Sequence, residues 1–134
     1  MSSFANAAGK AAAIYVALLV LMGFALTVLV ILRRYRARVG IGDGGDSDLQ
    51  RRIRVHGNFI EHMPAAFALL ILLPLMGAGA GLVHAVGLMV LGGRILHAVG
   101  LGGSAGTSAS RAAGMVITNC GLIIGAIGAM TLAL

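Results

Sequence analysis

Three long stretches without a single Asp, Glu, Lys or Arg dominate this chain: Ala11 to Leu32, His62 to Gly93 and Ala112 to Leu134, of 22, 32 and 23 residues. A helix that crosses a bilayer needs about 20 predominantly apolar residues. The first and third stretches each supply one span. The middle one is too short for two, unless both of its helices continue past a charge, Glu61 on one side and Arg94 on the other. The glycine cluster Gly77-Ala78-Gly79-Ala80-Gly81 marks the turn between them. The pattern predicts an all-α integral membrane protein, a four-transmembrane-helix bundle. Its helices are expected over about 9–36, 48–76, 81–101 and 108–133, in one membrane domain covering residues 1–134.

Composition agrees. Only 10% of the 134 residues are charged and 59% are hydrophobic, whereas a soluble domain carries about 25% charged residues. The mean hydropathy is +0.99. A disordered chain is excluded, and a water-soluble globule is disfavoured. The 21 glycines follow no three-residue period, which excludes a collagen-like chain. The one cysteine, Cys120, allows no disulfide framework and no four-thiolate metal site. It reads as buried filler in the fourth helix.

The formal net charge of +6 is concentrated. Seven of the ten basic residues lie between positions 33 and 54, Arg94 and Arg111 flank a loop on the same side, and Lys10 lies near the opposite face. The positive-inside rule then places the Arg-rich loops in the cytoplasm and both termini outside. Nucleic acid is the weaker reading of this charge and is not expected as a partner, because the arginines sit at helix ends beside lipid. The first segment does not read as a cleaved signal peptide. Its apolar run exceeds the roughly 7–15 residues of a signal core, and Arg33-Arg34-Tyr35-Arg36-Ala37-Arg38 follows as a stop-transfer block.

Local signals set the helix ends. Val39 to Ser47 is a glycine and aspartate turn. Ser47-Asp48-Leu49-Gln50 reads as a capping box with Ser47 at the N-cap. Pro64 removes a donor within helix two and frees the Ile60 carbonyl, which predicts a kink. Pro74 marks the approach to the outer end. Residues 101–107 form a second loop, with Thr107 or Ser108 capping helix four. Gly121 and Gly125 in helix four, and Gly87, Gly92 and Gly93 in helix three, permit close helix approach within one subunit or between subunits.

Ionisable groups at membrane depth are costly and are usually paired or functional. On helix two, Arg51, Arg54, Asn58 and Glu61 are spaced by 3, 4 and 3 residues. At about 100° per residue they share a stripe about 80° wide. Arg94, His97 and Leu101 share a face of helix three, and Arg111 lies in the first turn of helix four. The bland reading pairs Glu61 with Arg94 and lets the remaining arginines snorkel. For Arg33, Arg34, Arg36 and Arg38 that reading holds, mostly as topology determinants. The stripe on helix two carries surplus positive charge beside one carboxylate. It suits a polyanion with an amine, and Arg111 at a helix N-terminus also favours an anion. Glutathione has that shape, with two carboxylates, an amine and a thiol whose pKa a nearby Arg would lower. Phospholipids and nucleotides satisfy the same chemistry.

The run Arg54-Val55-His56-Gly57-Asn58-Phe59-Ile60-Glu61-His62-Met63-Pro64 resembles the helix-two signature of the MAPEG family, the membrane-associated proteins of eicosanoid and glutathione metabolism, which reads Arg-x-x-x-Asn-x-x-Glu-x-x-Pro. Gly93-Arg94-Ile95-Leu96-His97 is similar to the family's helix-three motif. Arg111 is similar to the arginine that opens its fourth helix, and the Gly42-Asp43-Gly44 turn resembles bacterial members. The resemblance implies a homotrimer with glutathione as co-substrate at the subunit interfaces. It implies that Arg54, Asn58, Glu61 and His62 hold the tripeptide, with Arg51 beside them, and that Arg94 and His97 line the same cavity. It further implies that Arg111 stabilises the thiolate and that Arg33 or Arg34 closes the site from the neighbouring subunit. Leu101 stands where several members have Tyr, Ala112 where the prostaglandin E synthase has Ser, and Gly57 where that enzyme has Arg. These departures point away from the specialised eicosanoid synthases.

The implied activity is a glutathione-dependent membrane transferase or peroxidase, acting on a lipophilic small molecule that enters from the bilayer. The alternative is a non-catalytic lipid-binding or adaptor protein of the same architecture. A proton-coupled exporter needs a carboxylate that cycles its proton, and Glu61 among arginines would stay ionised. A haem protein would need facing histidines, and His56, His62, His84 and His97 are expected at different depths.

Overall fold

The computed structural model describes residues 6–103 and 109–134, with the backbone alone for 101–103. Thr107 and Ser108, expected as caps, lie outside the described residues, as does the Leu101 side chain. The helices are α1 (Ala7–Ala37), α2 (Ser47–Leu75), α3 (Ala80–Gly103) and α4 (Ala109–Ala133), and the described residues contain no strand. All four are long and apolar enough to cross a membrane. The 31 residues of α1 and 29 of α2 extend about 46 and 44 Å. The hydrocarbon layer is about 30 Å thick, so both helices reach beyond it at the end where the arginines lie.

Side-chain chemistry fixes the termini. Asn6 caps α1 by accepting the Gly9 N–H at 2.9 Å. At the other end Arg38 adopts the left-handed conformation at φ 56°. Arg38 N–H donates to Tyr35 O and Val39 N–H to Arg34 O, which closes a Schellman motif. The Arg34 guanidinium donates to Gly40 O and Gly42 O, tying the following turn to its own helix.

The cap of α2 is Asp46, not Ser47. Asp46 accepts the Leu49 N–H at 2.7 Å, and Arg33 grips the same carboxylate at 2.6 and 3.1 Å. An ionised acceptor makes the stronger cap, so the charge one residue earlier prevails over the hydroxyl. Asp48 then takes Arg33, Arg51 and Arg52 within 3.6 Å. The two aspartates fasten α1 to α2.

The α-helix α2 continues through both Pro64 and Pro74. It ends in a second Schellman motif, with Gly77 N–H on Pro74 O and Ala78 N–H on Leu73 O. Gly77 has φ +87° there, a conformation glycine adopts without a Cβ penalty.

The buried core runs along the inner faces of α1, α2 and α3, with Leu19, Leu70, Leu73, Val83, Val86 and Val90 fully enclosed. On α4, Gly114, Thr118, Gly121, Gly125 and Ala129 form the buried face. A Cβ on Gly114 would stand 2.6 Å from Gly93 O, and one on Gly121 would stand 2.8 Å from Met89 Cβ. These small residues therefore serve the α3–α4 crossing within the subunit. A Cβ on Gly92 would meet nothing within 4 Å among the described residues. Cys120 is exposed, in contrast to its expected burial. The narrow α4 face toward α3 is already filled by the small residues beside it. Outward, α1 presents Ile14, Leu21, Phe24 and Ile31, as a helix in lipid does.

Two outcomes follow from this packing. Gly114→Ala should lower thermal stability in detergent by roughly 1–3 kcal/mol through overpacking, while Gly92→Ala should leave it unchanged; equal melting temperatures for both would contradict the close crossing. Arg33 and the Leu49 N–H hold the Asp46 carboxyl below its ordinary range. Its stabilisation is complete above the unfolded-state value and is lost as pH falls through the lower folded-state value. Asp46→Ala should therefore destabilise at neutral pH, with the difference from wild type shrinking in strong acid, read by melting curves across acid pH.

Candidate functional site

The stripe on α2 divides among different surroundings. Asn58 turns inward and is 6% exposed. Arg54 and Glu61, one turn to either side, stay at the surface and pair with each other at 3.4 Å, their side chains 63% and 53% exposed. Arg51 lies on the edge of the stripe that faces α1. It pairs with Asp48 and lines a cavity with residues of α1 and α3.

Asn58 meets Arg94, the largest fully buried side chain of the bundle at 1% exposure. Arg94 Nη1 donates to Asn58 Oδ1 at 2.7 Å and Nε donates to Thr118 Oγ1 at 2.9 Å. Nη2 reaches Met115 Sδ at 3.3 Å. Thr118 Oγ1–H in turn donates to Gly114 O at 2.8 Å. One guanidinium thus links α2, α3 and α4. No carboxylate lies within ion-pair distance of it among the described residues. The Glu61–Arg94 pair of the bland reading does not form, because Glu61 points outward to Arg54.

The histidines continue the polar face. His62 Nδ1 lies 2.9 Å from Asn58 O and 3.3 Å from Arg94 Nη1. It donates to the first or accepts from the second according to its tautomer, and both states hold the ring against the Asn58–Arg94 pair. His97 is buried one turn beyond Arg94 on α3. Arg111 sits partly buried in the first turn of α4. The structure therefore brings together Asn58, His62 and Arg94, with the Arg54–Glu61 pair on the adjoining turns of α2 and His97 one turn along α3 from Arg94. Arg33 and Arg34 are engaged by Asp46, Asp48 and the loop carbonyls of their own chain.

Thr118 and Met115 were not legible as site residues. A threonine and a methionine in an apolar helix carry no signal until their partner is known. A hint lay in the spacing of Gly114 and Thr118, which puts a hydroxyl on the small-residue face.

The chemical character of the site is a buried, uncompensated cation beneath an exposed ion pair. Leaving such a group without its acceptors costs roughly 1–3 kcal/mol, more for a charge. Thr118→Val should therefore destabilise the bundle by at least that amount in thermal denaturation, and an unchanged melting temperature would show that Thr118 does not carry Arg94.

The MAPEG family model matches residues 12–131 of this chain. The inner membrane protein YecN of Escherichia coli strain K12 is similar, 42% identical over 69 residues, which is 52% of this chain and 51% of the relative. The protein of the same name from Escherichia coli O6:H1 matches to the same extent. The matched stretch thus spans about half the length of these relatives. With a family match over nearly the whole chain and four spanning helices, the chain belongs to the MAPEG family.

Proposed function

We propose that the protein is a glutathione-dependent membrane transferase or peroxidase for lipophilic electrophiles. The observation that carries this reading is the exposed Arg54–Glu61 pair above the buried Arg94. An α-amino acid head has a carboxylate beside an ammonium. It can replace the pair's mutual contact with one of its own to each partner, carboxylate on Arg54 and ammonium on Glu61. The γ-glutamyl end of glutathione is such a head. His62, half-buried beside the pair, then meets the tripeptide, and its second carboxylate is drawn by the positive field of Arg94, which the buried Asn58 holds in place.

Arg111, in the first turn of α4, stabilises the sulfur as thiolate. The thiol proton leaves to solvent, and the thiolate attacks an electrophilic carbon, forming a C–S bond as the leaving group departs with its electron pair. With a hydroperoxide the thiolate attacks the outer oxygen, the O–O bond breaks and an alcohol leaves. A second glutathione then reduces the sulfenic acid to disulfide and water. Orientation of the two reactants supplies much of the acceleration. The apolar exterior of α1 gives the electrophile a route from lipid.

Because Arg54 and Glu61 are open on the single chain, a neighbouring subunit closes the site in the trimer that the family resemblance implies. The relatives' name supports a place in the bacterial inner membrane, and the positive-inside rule supports a cytoplasmic Arg-rich end.

Glu61→Gln should weaken glutathione binding about ten- to a hundredfold, the loss of a charge-assisted contact of roughly 1.5–3 kcal/mol. Arg111→Ala should retain binding but lose about a hundredfold or more in conjugation of a chromogenic aromatic electrophile. Equilibrium dialysis and a turnover assay read the two effects. Unchanged affinity in the first variant or unchanged turnover in the second would contradict the assigned role.

A further inference from the structure

A second site lies on the opposite edge of α2. There α1, α2 and α3 surround a cavity of about 280 Å³. Leu26, Leu29, Val55 and Val99 form its apolar wall, and Arg51 and Arg52 stand at its polar end. A smaller cavity of about 200 Å³ adjoins it, shares Leu29, Asp48 and Arg52, and adds Arg33 and Arg36. Along α1 the combined lining changes from Leu26 and Leu29 to Arg33 and Arg36 over about 15 Å. It is apolar at depth and cationic toward the helix end, the polarity of a lipid in a leaflet.

The cations there are not neutralised. Arg33, Arg51 and Arg52 share the two carboxylates of Asp46 and Asp48, and Arg36 adds a fourth cation to the lining of the smaller cavity. Arg51 spends its Nη2 on Asp48 at 3.6 Å, and its buried Nε has no hydrogen-bond partner among the described residues. The cavity is open at its side, where Val99 is 68% and Leu29 43% exposed.

We propose that this paired cavity binds one anionic phospholipid, its phosphate held by Arg36, Arg51 and Arg52 and one acyl chain lying along Leu26, Leu29, Val55 and Val99. A free anion would leave the apolar wall empty, and a neutral apolar molecule would leave the cationic end of the lining unmatched. Both ends of the site are satisfied only by an amphiphile with a negative head. The proposal does not depend on the glutathione reading: Arg51, expected beside the tripeptide, lines this cavity instead, and Arg54, Asn58, Glu61 and His62 remain with that reading.

The chain contains no tryptophan, so Val99→Trp installs a sole fluorescent reporter at the cavity rim. Val116→Trp, on the exposed face of α4, installs a control that does not line the cavity. Each variant is reconstituted in phosphatidylcholine vesicles containing a fraction of brominated phosphatidylglycerol, or of brominated phosphatidylcholine. At Val99→Trp, phosphatidylglycerol should quench several-fold more than phosphatidylcholine at equal fraction. At Val116→Trp the two should quench alike. Adding Arg36→Gln and Arg52→Gln should abolish the preference at position 99. Equal quenching by both lipids at position 99, or equal preference at both positions, would overturn the site. Relief of quenching by inorganic phosphate would assign the pocket to a free anion and overturn it as well.

A measurement on the unaltered protein covers failure of the tryptophan variants to fold. After reconstitution in equal phosphatidylglycerol and phosphatidylcholine and extraction in neutral detergent, wild type should retain phosphatidylglycerol in excess. The Arg36→Gln/Arg52→Gln protein should retain neither in excess. Its glutathione affinity should equal wild type; a parallel loss of glutathione binding would show that the two sites are one and overturn the assignment.

Discussion

The buried guanidinium of Arg94 sets the arrangement of this bundle. A full positive charge removed from water is unfavourable unless its donors are satisfied, and here no carboxylate performs that task. Asn58 from α2 and Thr118 and Met115 from α4 do so instead. Each must approach within hydrogen-bonding distance, which fixes the depth and rotation of three helices relative to one another. The approach of α4 is possible because Gly93 and Gly114 meet without side chains. The small-residue face and the buried charge are therefore parts of one device. The glycines allow the crossing, and the arginine fixes its register.

The same device gives the site its sign. A neutral acceptor set leaves the charge of Arg94 uncancelled. Above it, Arg54 and Glu61 remain available at the surface because neither is needed to neutralise the interior. On the far edge of α2, Asp46 and Asp48 draw in Arg33, Arg51 and Arg52. The Arg-rich end is thus divided in two, a half that joins α1 to α2 through Asp46 and Asp48 and a half built around Arg94 that joins α2 to α3 and α4.

Much of this was legible in the sequence. Charge-free runs locate four spans because lipid tolerates few alternatives to a helix, and helix ends fall close to the expected positions. The family resemblance rested on a spaced motif in α2, and its Asn58, His62 and Arg94 do converge. What was not legible depended on distances between helices. A stripe about 80° wide on a helical wheel is broad enough to touch two different neighbours, so Arg51 and Asn58 part company. Glu61 and Arg94 looked like natural partners by charge, yet Glu61 projects outward. The capping signal was read one residue late, because the sequence does not reveal that Arg33 would reinforce Asp46. Thr118 gains its meaning only from the guanidinium it faces.

The central functional claim is that this cationic face ionises a bound thiol. The most direct test is the ultraviolet thiolate difference spectrum of glutathione with the purified protein in detergent, titrated across neutral pH beside an equilibrium-binding measurement. The account predicts a thiolate band that persists well below the ordinary pKa of the free thiol. Saturating binding with glutathione still protonated throughout, or no binding at all, would contradict it.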